Sequence, residues 1–432
     1  MPVALRLPSR LASAPTPLFA MCWYADPADG TSILAACGGG GSAATGVKNH
    51  LVLYFGLRDD TDPVIVNTAN DVGVAVTIAK NPINNKISLF CALGSKIQVY
   101  SLSSGQANLE QQLEVGDGVN ALAANAMVDS LAVGCESGTV KVYKISQDEH
   151  QLEGLASYEC EGHGQAVCSV AFAPRSNLMV SSAKDGTARL WQQDACLAVL
   201  NCTINDPGAP VPNRPPKVLV RGCGFGDLEG KLVYTVASGR RGAAYLAKWG
   251  PKDGQNDYQC IERSQCSQHP VSAMSISGDA STVALGATNG TVILWDTQKW
   301  KSIKSFPEVH DLPVTCIAAR PFDVPLQGED QSLVKYNAIC ASADSKIGWL
   351  TLQRRNPKRA SGSAGSGFPL AKYVNLMMKM ALLYWIASPL ARDVWETCGG
   401  EDMPGIGSKL QCIRDDILVA PISRPGIAVP PH

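Results

Sequence analysis

The chain has 432 residues, 45% of them apolar and 17% charged, with 40 glycines and 27 prolines. That length admits several ordinary domains or one large closed β structure, and the glycine and proline content favours short strands joined by turns. A formal net charge of -1 gives no global electrostatic pull toward nucleic acid. The 15 cysteines form no C-x-x-C pair and no His/Cys cluster at zinc spacing. This speaks against a disulfide framework or a zinc ribbon and leaves most of them as small buried apolar groups in a reducing compartment.

Residues 1–18 carry Arg6 and Arg10 but are broken by Pro8, Pro15 and Pro17, so they do not read as a signal peptide. Within them Val3-Ala4-Leu5-Arg6-Leu7 is strand-like. Residues 19–66 follow, with apolar runs at 32–37 and 51–55 on either side of Gly38-Gly39-Gly40-Gly41-Ser42-Ala43-Ala44-Thr45-Gly46-Val47-Lys48-Asn49. Four consecutive glycines exceed the needs of a tight hairpin, which takes about two special residues. They free the backbone to adopt positive φ and to turn its own N–H or C=O groups toward something small.

From there one unit repeats: a β-rich run, a turn, a second run ending in small residues, a Gly or Asp turn, then a third run ending in an aromatic. Weaker copies occupy residues 72–100, 119–143 and 218–249, the last with a longer turn around Gly239-Arg240-Arg241-Gly242. The clearest copy runs from Gly162-His163 through 167–172, 178–182 and Lys184-Asp185-Gly186 to Trp191. Residues 269–296 supply the one literal Trp-Asp pair, Trp295-Asp296, and residues 310–349 hold His310, Asp344 and Trp349.

This unit resembles the WD repeat. With residues 19–66 there are seven copies near the ~40–45-residue spacing of that family, which implies an all-β, seven-bladed WD-repeat β-propeller over residues 1–353. The strand-like Val3 to Leu7 is then expected to close the ring as the outer strand of the last blade. The WD-repeat resemblance assigns His163, Ser182, Asp185 and Trp191 to a hydrogen-bonded tetrad bracing one blade. His163, His269 and His310 are expected at corresponding blade positions, structural rather than catalytic. The pair Arg240-Arg241 is either a solvated turn or part of a surface for an acidic partner.

Beyond residue 353 the character changes. Residues 354–372 begin with the basic run Arg354-Arg355-Asn356-Pro357-Lys358-Arg359 and continue as a Gly/Ser-rich linker. Residues 373–391 are mostly apolar and nearly long enough to cross a bilayer, so a C-terminal transmembrane helix is expected there. Lys379 would have to snorkel to the headgroups, and Pro389 stands where such a helix would stop. The excess of basic residues ahead of it places the propeller in the cytoplasm and residues 392–432 in a short lumenal tail, where Cys398 and Cys412 would pair if the lumen is oxidising. The alternative is an amphipathic helix packed on the propeller or lying at the interface.

The glycine loop fails both phosphate-binding signatures. Gly41 to Gly46 fits G-x-x-x-x-G, but Val47 and Lys48 stand where a P-loop requires Lys and Ser or Thr. Gly39, Gly41 and Ala44 mimic a dinucleotide fingerprint, yet the chain continues into a strand, with no helix N-terminus to hold a pyrophosphate. No Ser/His/Asp or paired-carboxylate constellation is evident.

Ile33-Leu34-Ala35-Ala36-Cys37-Gly38-Gly39-Gly40-Gly41, followed by Gly46-Val47-Lys48-Asn49 and a strand, resembles the first blade of the Sec-twelve family, called prolactin regulatory element-binding proteins in animals. The resemblance implies an endoplasmic reticulum membrane protein with a cytoplasmic propeller and one C-terminal anchor. Such a protein acts as a guanine nucleotide exchange factor for the Sar-type small GTPase of COPII coats, without covalent chemistry and without nucleic acid as a partner. It further implies that Gly38, Gly39, Gly40, Gly41 and Gly46 shape a site for a potassium ion, and that Asn49 braces the loop through its amide. Val47 is the apolar element offered to the GTPase, and Asp71 on the next inter-strand turn supports the loop. Family members often carry Ile where Val47 stands. A membrane-tethered WD-repeat scaffold without exchange activity is the rival reading, and the glycine loop is what separates the two. A transcriptional role, as one family name suggests, has little support because the propeller carries no basic recognition element.

Overall fold

The computed structural model describes residues 10–26, 28, 30–41, 46–56, 62–103, 105–146, 151–203, 217–239, 242–252, 257–321 and 337–351. Among these, 28 strands form seven four-stranded antiparallel sheets. Each sheet takes four strands in sequence order, except the seventh, and the first strands of neighbouring sheets lie against one another all the way round the ring. The result is a seven-bladed β-propeller, built because half-buried strands of period two must cover both faces of every sheet with a neighbour.

Blade 1 comprises Leu18–Asp26, Thr31–Gly38, His50–Phe55 and Val64–Asn67. Blade 7 takes Val314–Ala319, Ala338–Ser342 and Lys346–Leu350 from the end of the propeller and its outer strand, Arg10–Ser13, from the start, with Ala12 opposite Ile347. Closure by the N-terminal segment therefore holds, but with a strand further along the chain than Val3 to Leu7, which lies outside the described residues. A strand at Arg10–Ser13 leaves the four residues 14–17 to run from the outer edge of blade 7 to the inner strand of blade 1, the same length as the link from Glu114 to Val119 between blades 2 and 3. Apolar seams between blades hold the ring, and at the closing seam Tyr54 meets Trp349 edge to face with centroids 6.0 Å apart.

Every inner strand carries a bulge near its start. Register shifts fall between Leu18 and Ala20, Gly73 and Ala75, Val119 and Ala121, Val167 and Ser169, Val220 and Gly222, Val271 and Ala273, and Val314 and Cys316. The extra residue in each case is left out of the ladder and sits at the mouth of the central channel. These residues are Phe19, Val74, Asn120, Cys168, Arg221, Ser272 and Thr315.

In blade 4, His163 Nδ1 lies 3.1 Å from Asp185, and its Nε2 lies 2.8 Å from Ser181 Oγ. Trp191 Nε1 donates to the same Ser181 Oγ at 2.8 Å. The tetrad serine is thus Ser181 and not Ser182, because successive strand residues face opposite sides of the sheet and only Ser181 shares the face of His163 and Trp191. Blade 7 repeats the arrangement with Cys340 in place of the serine, 3.2 Å from His310 Nε2, and Asp344 3.1 Å from Nδ1. His269 does not join them. It is exposed, since it precedes its inner strand by two residues where His163 and His310 precede theirs by four.

Of the thirteen cysteines among the described residues nine are buried and none is paired. Burial pushes the thiols of Cys135, Cys202, Cys223 and Cys316 up to about 12, so they behave as small apolar groups. Among the described residues no helix is long and apolar enough to cross a membrane. The segment 373–391, its linker and its tail lie outside them.

Candidate functional site

The loop site is built at the end of blade 1, where its two middle strands are joined, by two strands and two links. Thr31–Gly38 delivers the glycines and His50–Phe55 carries the chain away, with Gly38 paired both to Leu18 and to His50. No side chain fits at Gly38: a Cβ there would lie 2.0 Å from the carbonyl oxygen of Pro17. At Gly39, with φ of 143°, it would lie 2.1 Å from Asn49 Oδ1. Gly40 is half-buried between them and the turn. Gly41 and Gly46 both have φ of 73°, with open space where a side chain would stand, so here the requirement is the left-handed backbone itself. Residues 42–45 lie outside the described residues.

Asn49 is only 2% exposed and its side chain ties three segments together. Its Oδ1 accepts the Gly41 N–H at 2.9 Å, and its Nδ2 donates to Gly41 O at 3.2 Å and to Ala69 O at 3.0 Å. A neutral amide carries a carbonyl acceptor and two N–H donors, so it can take the N–H and the C=O of one residue and still reach a further carbonyl. The main chain adds to the clamp: Thr68 N–H donates to Asn49 O at 3.1 Å, and Thr16 Oγ1 donates to Lys48 O at 2.9 Å.

The far side of the clamp is the turn at 67–71. Asn67 Oδ1 accepts the Ala69 N–H at 2.8 Å, Ala69 has φ of 57°, and Thr68 Oγ1 donates to Asp71 O at 2.8 Å. Asp71 thus meets the glycine loop through its turn, while its carboxylate points to Lys96 Nζ at 3.4 Å. Val47 and Lys48 leave the loop on the outside, Val47 being 39% exposed. His50, next along, has its imidazole held below its ordinary range by burial and by the Lys48 charge. Asn67, Thr68, Ala69 and Thr16 were not singled out by the sequence. The polar run 67–71 marks a turn, but nothing local links it to Asn49.

At this site the Gly41 carbonyl is taken by Asn49 Nδ2 and the Asp71 carboxylate by Lys96. Among the described residues no three His, Cys, Asp or Glu side chains come together.

Two stretches, residues 155–192 and 259–296, match the WD domain, G-beta repeat family. The chain carries WD repeats. It is similar to the guanine nucleotide-exchange factor SEC12 of Mus musculus, 24% identical over 200 residues that cover 44% of this chain and 44% of that protein. It is also similar to SEC12-like protein 2 of Arabidopsis thaliana, 22% identical over 254 residues, 54% of this chain and 57% of that one. The angio-associated migratory cell protein of Homo sapiens matches at 24% over 201 residues, 44% and 38%. The chain thus spans between about two fifths and three fifths of these relatives' lengths. A chain from the crystal structure of the mitotic checkpoint complex has a TM-score of 0.57 at 13% identity, covering 82% of this chain and 97% of that chain, and so shares the fold.

Proposed function

We propose that this protein is a guanine nucleotide exchange factor for a Sar-type small GTPase, acting by binding the opened, nucleotide-free form more tightly than the GDP-bound one. The observation that carries the reading is the Asn49 clamp, which joins Gly41 to Ala69 and leaves Val47 exposed beside it. A loop base held by Asn49, with an exposed apolar side chain beside it, loses less to its own ordering when it meets a partner. The similarity to the mouse and plant proteins supports the same reading, as does the glycine run itself. Gly38, Gly39, Gly40, Gly41 and Gly46 would hold a potassium ion through main-chain oxygens, and the ion would stiffen the loop when bound. Residues 373–391 would anchor the chain in the endoplasmic reticulum membrane, where the GTPase recruits COPII coat proteins.

The test is GDP release from a Sar-type GTPase, followed with the full chain in liposomes, in potassium and in sodium buffers. Faster release than from the GTPase alone, and faster in potassium, is the expected result. Equal acceleration in both salts removes the potassium assignment only. Tight GTPase binding with no acceleration leaves a scaffold and rejects exchange.

A further inference from the structure

In a four-stranded antiparallel blade the outer strand ends where the inner strand began, so every blade starts and finishes at one end of the ring. The glycine loop, which joins the second and third strands of blade 1, lies at that end. Links from first to second strand and from third to fourth lie at the other. The three most exposed large apolar side chains among the described residues all stand at this other end, Ile83 at 74%, Met127 at 58% and Leu155 at 83%. Ile83 lies between Gly73–Lys80 and Ile87–Leu93 of blade 2, Met127 between Val119–Ala124 and Ser130–Cys135 of blade 3, and Leu155 between Val140–Lys144 and Tyr158–Cys160 of blade 3. They are neighbours: Pro82 and Asn85 line one hollow with Ala126 and Val128, and Val128 packs with Leu152 and Ala156 in one core cluster. Apolar side chains exposed singly are ordinary, but such a grouping marks a contact surface.

Each of the three is held outward by its own turn. Buried Asn81 accepts the Ile83 N–H on Oδ1 at 2.7 Å and the Asn85 N–H on its main-chain oxygen at 3.0 Å, with Asn85 at φ of 58°. Val128, after Met127, has φ of 54°, unfavourable for a β-branched residue, and donates its N–H to Asn125 O at 3.0 Å. That conformation turns Val128 into the core, where it is buried, and leaves Met127 outside. On the third link the Gln111 amide takes both the N–H and the carbonyl of Leu152, at 2.7 and 2.8 Å, and Ser157 N–H donates to Val142 O at 2.7 Å. Leu155 stands between these two fixed points.

We propose that this end of blades 2 and 3 rests on a lipid bilayer, with Ile83, Met127 and Leu155 dipping into its interfacial region. The course of the chain points to lipid. The third strand of blade 7, Lys346–Leu350, runs toward this same end, and only residues 352–372 separate it from the apolar run 373–391. A bilayer holding that run meets this end of the propeller at high local concentration, so a few apolar insertions suffice; the choice of lipid thus rests on the anchoring role proposed for 373–391. Charge agrees with a neutral surface. On the described parts of these links Lys86 and Lys144 balance Asp129 and Glu153, and the charged groups lining the hollow, Asp26 and Lys80, are bonded to each other at 2.7 Å. Contact made this way depends on apolar area and not on anionic headgroups. It leaves the clamped loop and Val47 at the end facing away from the lipid.

The test places the full chain in phosphatidylcholine vesicles in which part of the lipid carries a diazirine on an acyl chain, irradiates them, and maps the lipid adducts by peptide mass spectrometry. Adducts are expected on residues 81–86, 125–130 and 151–157 and on 373–391, but not on Val47, and raising the salt should leave the pattern in place. Combining Ile83→Ser, Met127→Ser and Leu155→Ser should remove most adducts from the three propeller runs while leaving those on 373–391 and the thermal melt unchanged. Adducts on 373–391 with none on the three runs overturn the proposal and keep the anchor. Adducts on the three runs with none on 373–391 keep the contact surface and reject the anchor. Labelling nowhere, labelling equal at both ends of the ring, or labelling of the three runs that survives the triple substitution also overturns the proposal. So does Met127 shielded from peroxide oxidation without lipid adducts, which would give this face to a second copy of the chain.

Discussion

Asn49 makes three hydrogen bonds with one amide, and two of them need its nitrogen. In Asn49→Asp the carboxylate would face the carbonyl oxygens of Gly41 and Ala69, so both bonds become repulsions in a buried position. The expected cost is about 2–4 kcal/mol, measured by urea unfolding, from buried polar groups left unmet. A loss under ~0.5 kcal/mol would mean that the clamp holds nothing. Ser181 and Ser182 offer a sharper contrast. Ser181→Ala strands both His163 Nε2 and Trp191 Nε1 and should cost about 2–3 kcal/mol, well above the cost of Ser182→Ala in the same unfolding assay. Acid adds a further test. Burial holds the His310 imidazole below its ordinary value, against the pull of Asp344. Its stabilising contribution is therefore whole above the unfolded-state value of about 6.5 and falls as pH drops below it, because the unfolded chain takes the proton first. Burial opposes the Asp185 charge, but hydrogen bonds from His163, Thr187 and Gly164 outweigh it and hold that carboxyl well below the usual range. Its contribution is lost at still lower pH. Urea midpoints at pH 7.5 and pH 5 should differ more for the wild type than for His310→Gln, which removes the upper step.

At the scale of elements, closure depends on four residues. Arg10–Ser13 supplies the outer strand of blade 7, and the apolar seam from Leu18 to Trp349 lies just inside it. Deleting residues 2–13 should lower the melting temperature by several degrees more than deleting residues 2–9, each ~1 kcal/mol lost shifting a domain of this size by about 1–2 °C. Identical melts for the two deletions, read by circular dichroism, would show that the closing strand adds nothing. The period-two apolar runs made most strands legible, because alternation is a local signal. The closing strand was misplaced because two candidate runs precede blade 1 and only the pairing across the closed ring, Arg10–Ser13 against Lys346–Trp349, chooses between them. His269 was grouped with the other histidines although its two-residue spacing to Val271 was already in the chain. Spacing, and not mere presence before a strand, decides whether an imidazole reaches the tetrad.

For the whole molecule, exchange requires the loop to act on a second protein. Val47→Asp should leave the fold intact, since the side chain is 39% exposed. It should slow GDP release from the GTPase by about tenfold or more, as expected for losing most of the ~1.5–3 kcal/mol of a buried Val contact and adding a charge. Unchanged release by a properly folded Val47→Asp protein would remove the loop tip from the mechanism. The sequence by itself determined the repeat, the blade count and the unusual glycine run with its Gly46-Val47-Lys48-Asn49 exit, because each is a matter of neighbours along the chain. Only the tertiary structure decided that Asn49 reaches across twenty residues to Ala69, that Ser181 and not Ser182 braces blade 4, and that seven bulges meet at one channel mouth with Arg221 among them. Those facts depend on which strand edges the closed ring brings side by side, and a side chain's partners across blades leave no trace in the spacing of its own strand.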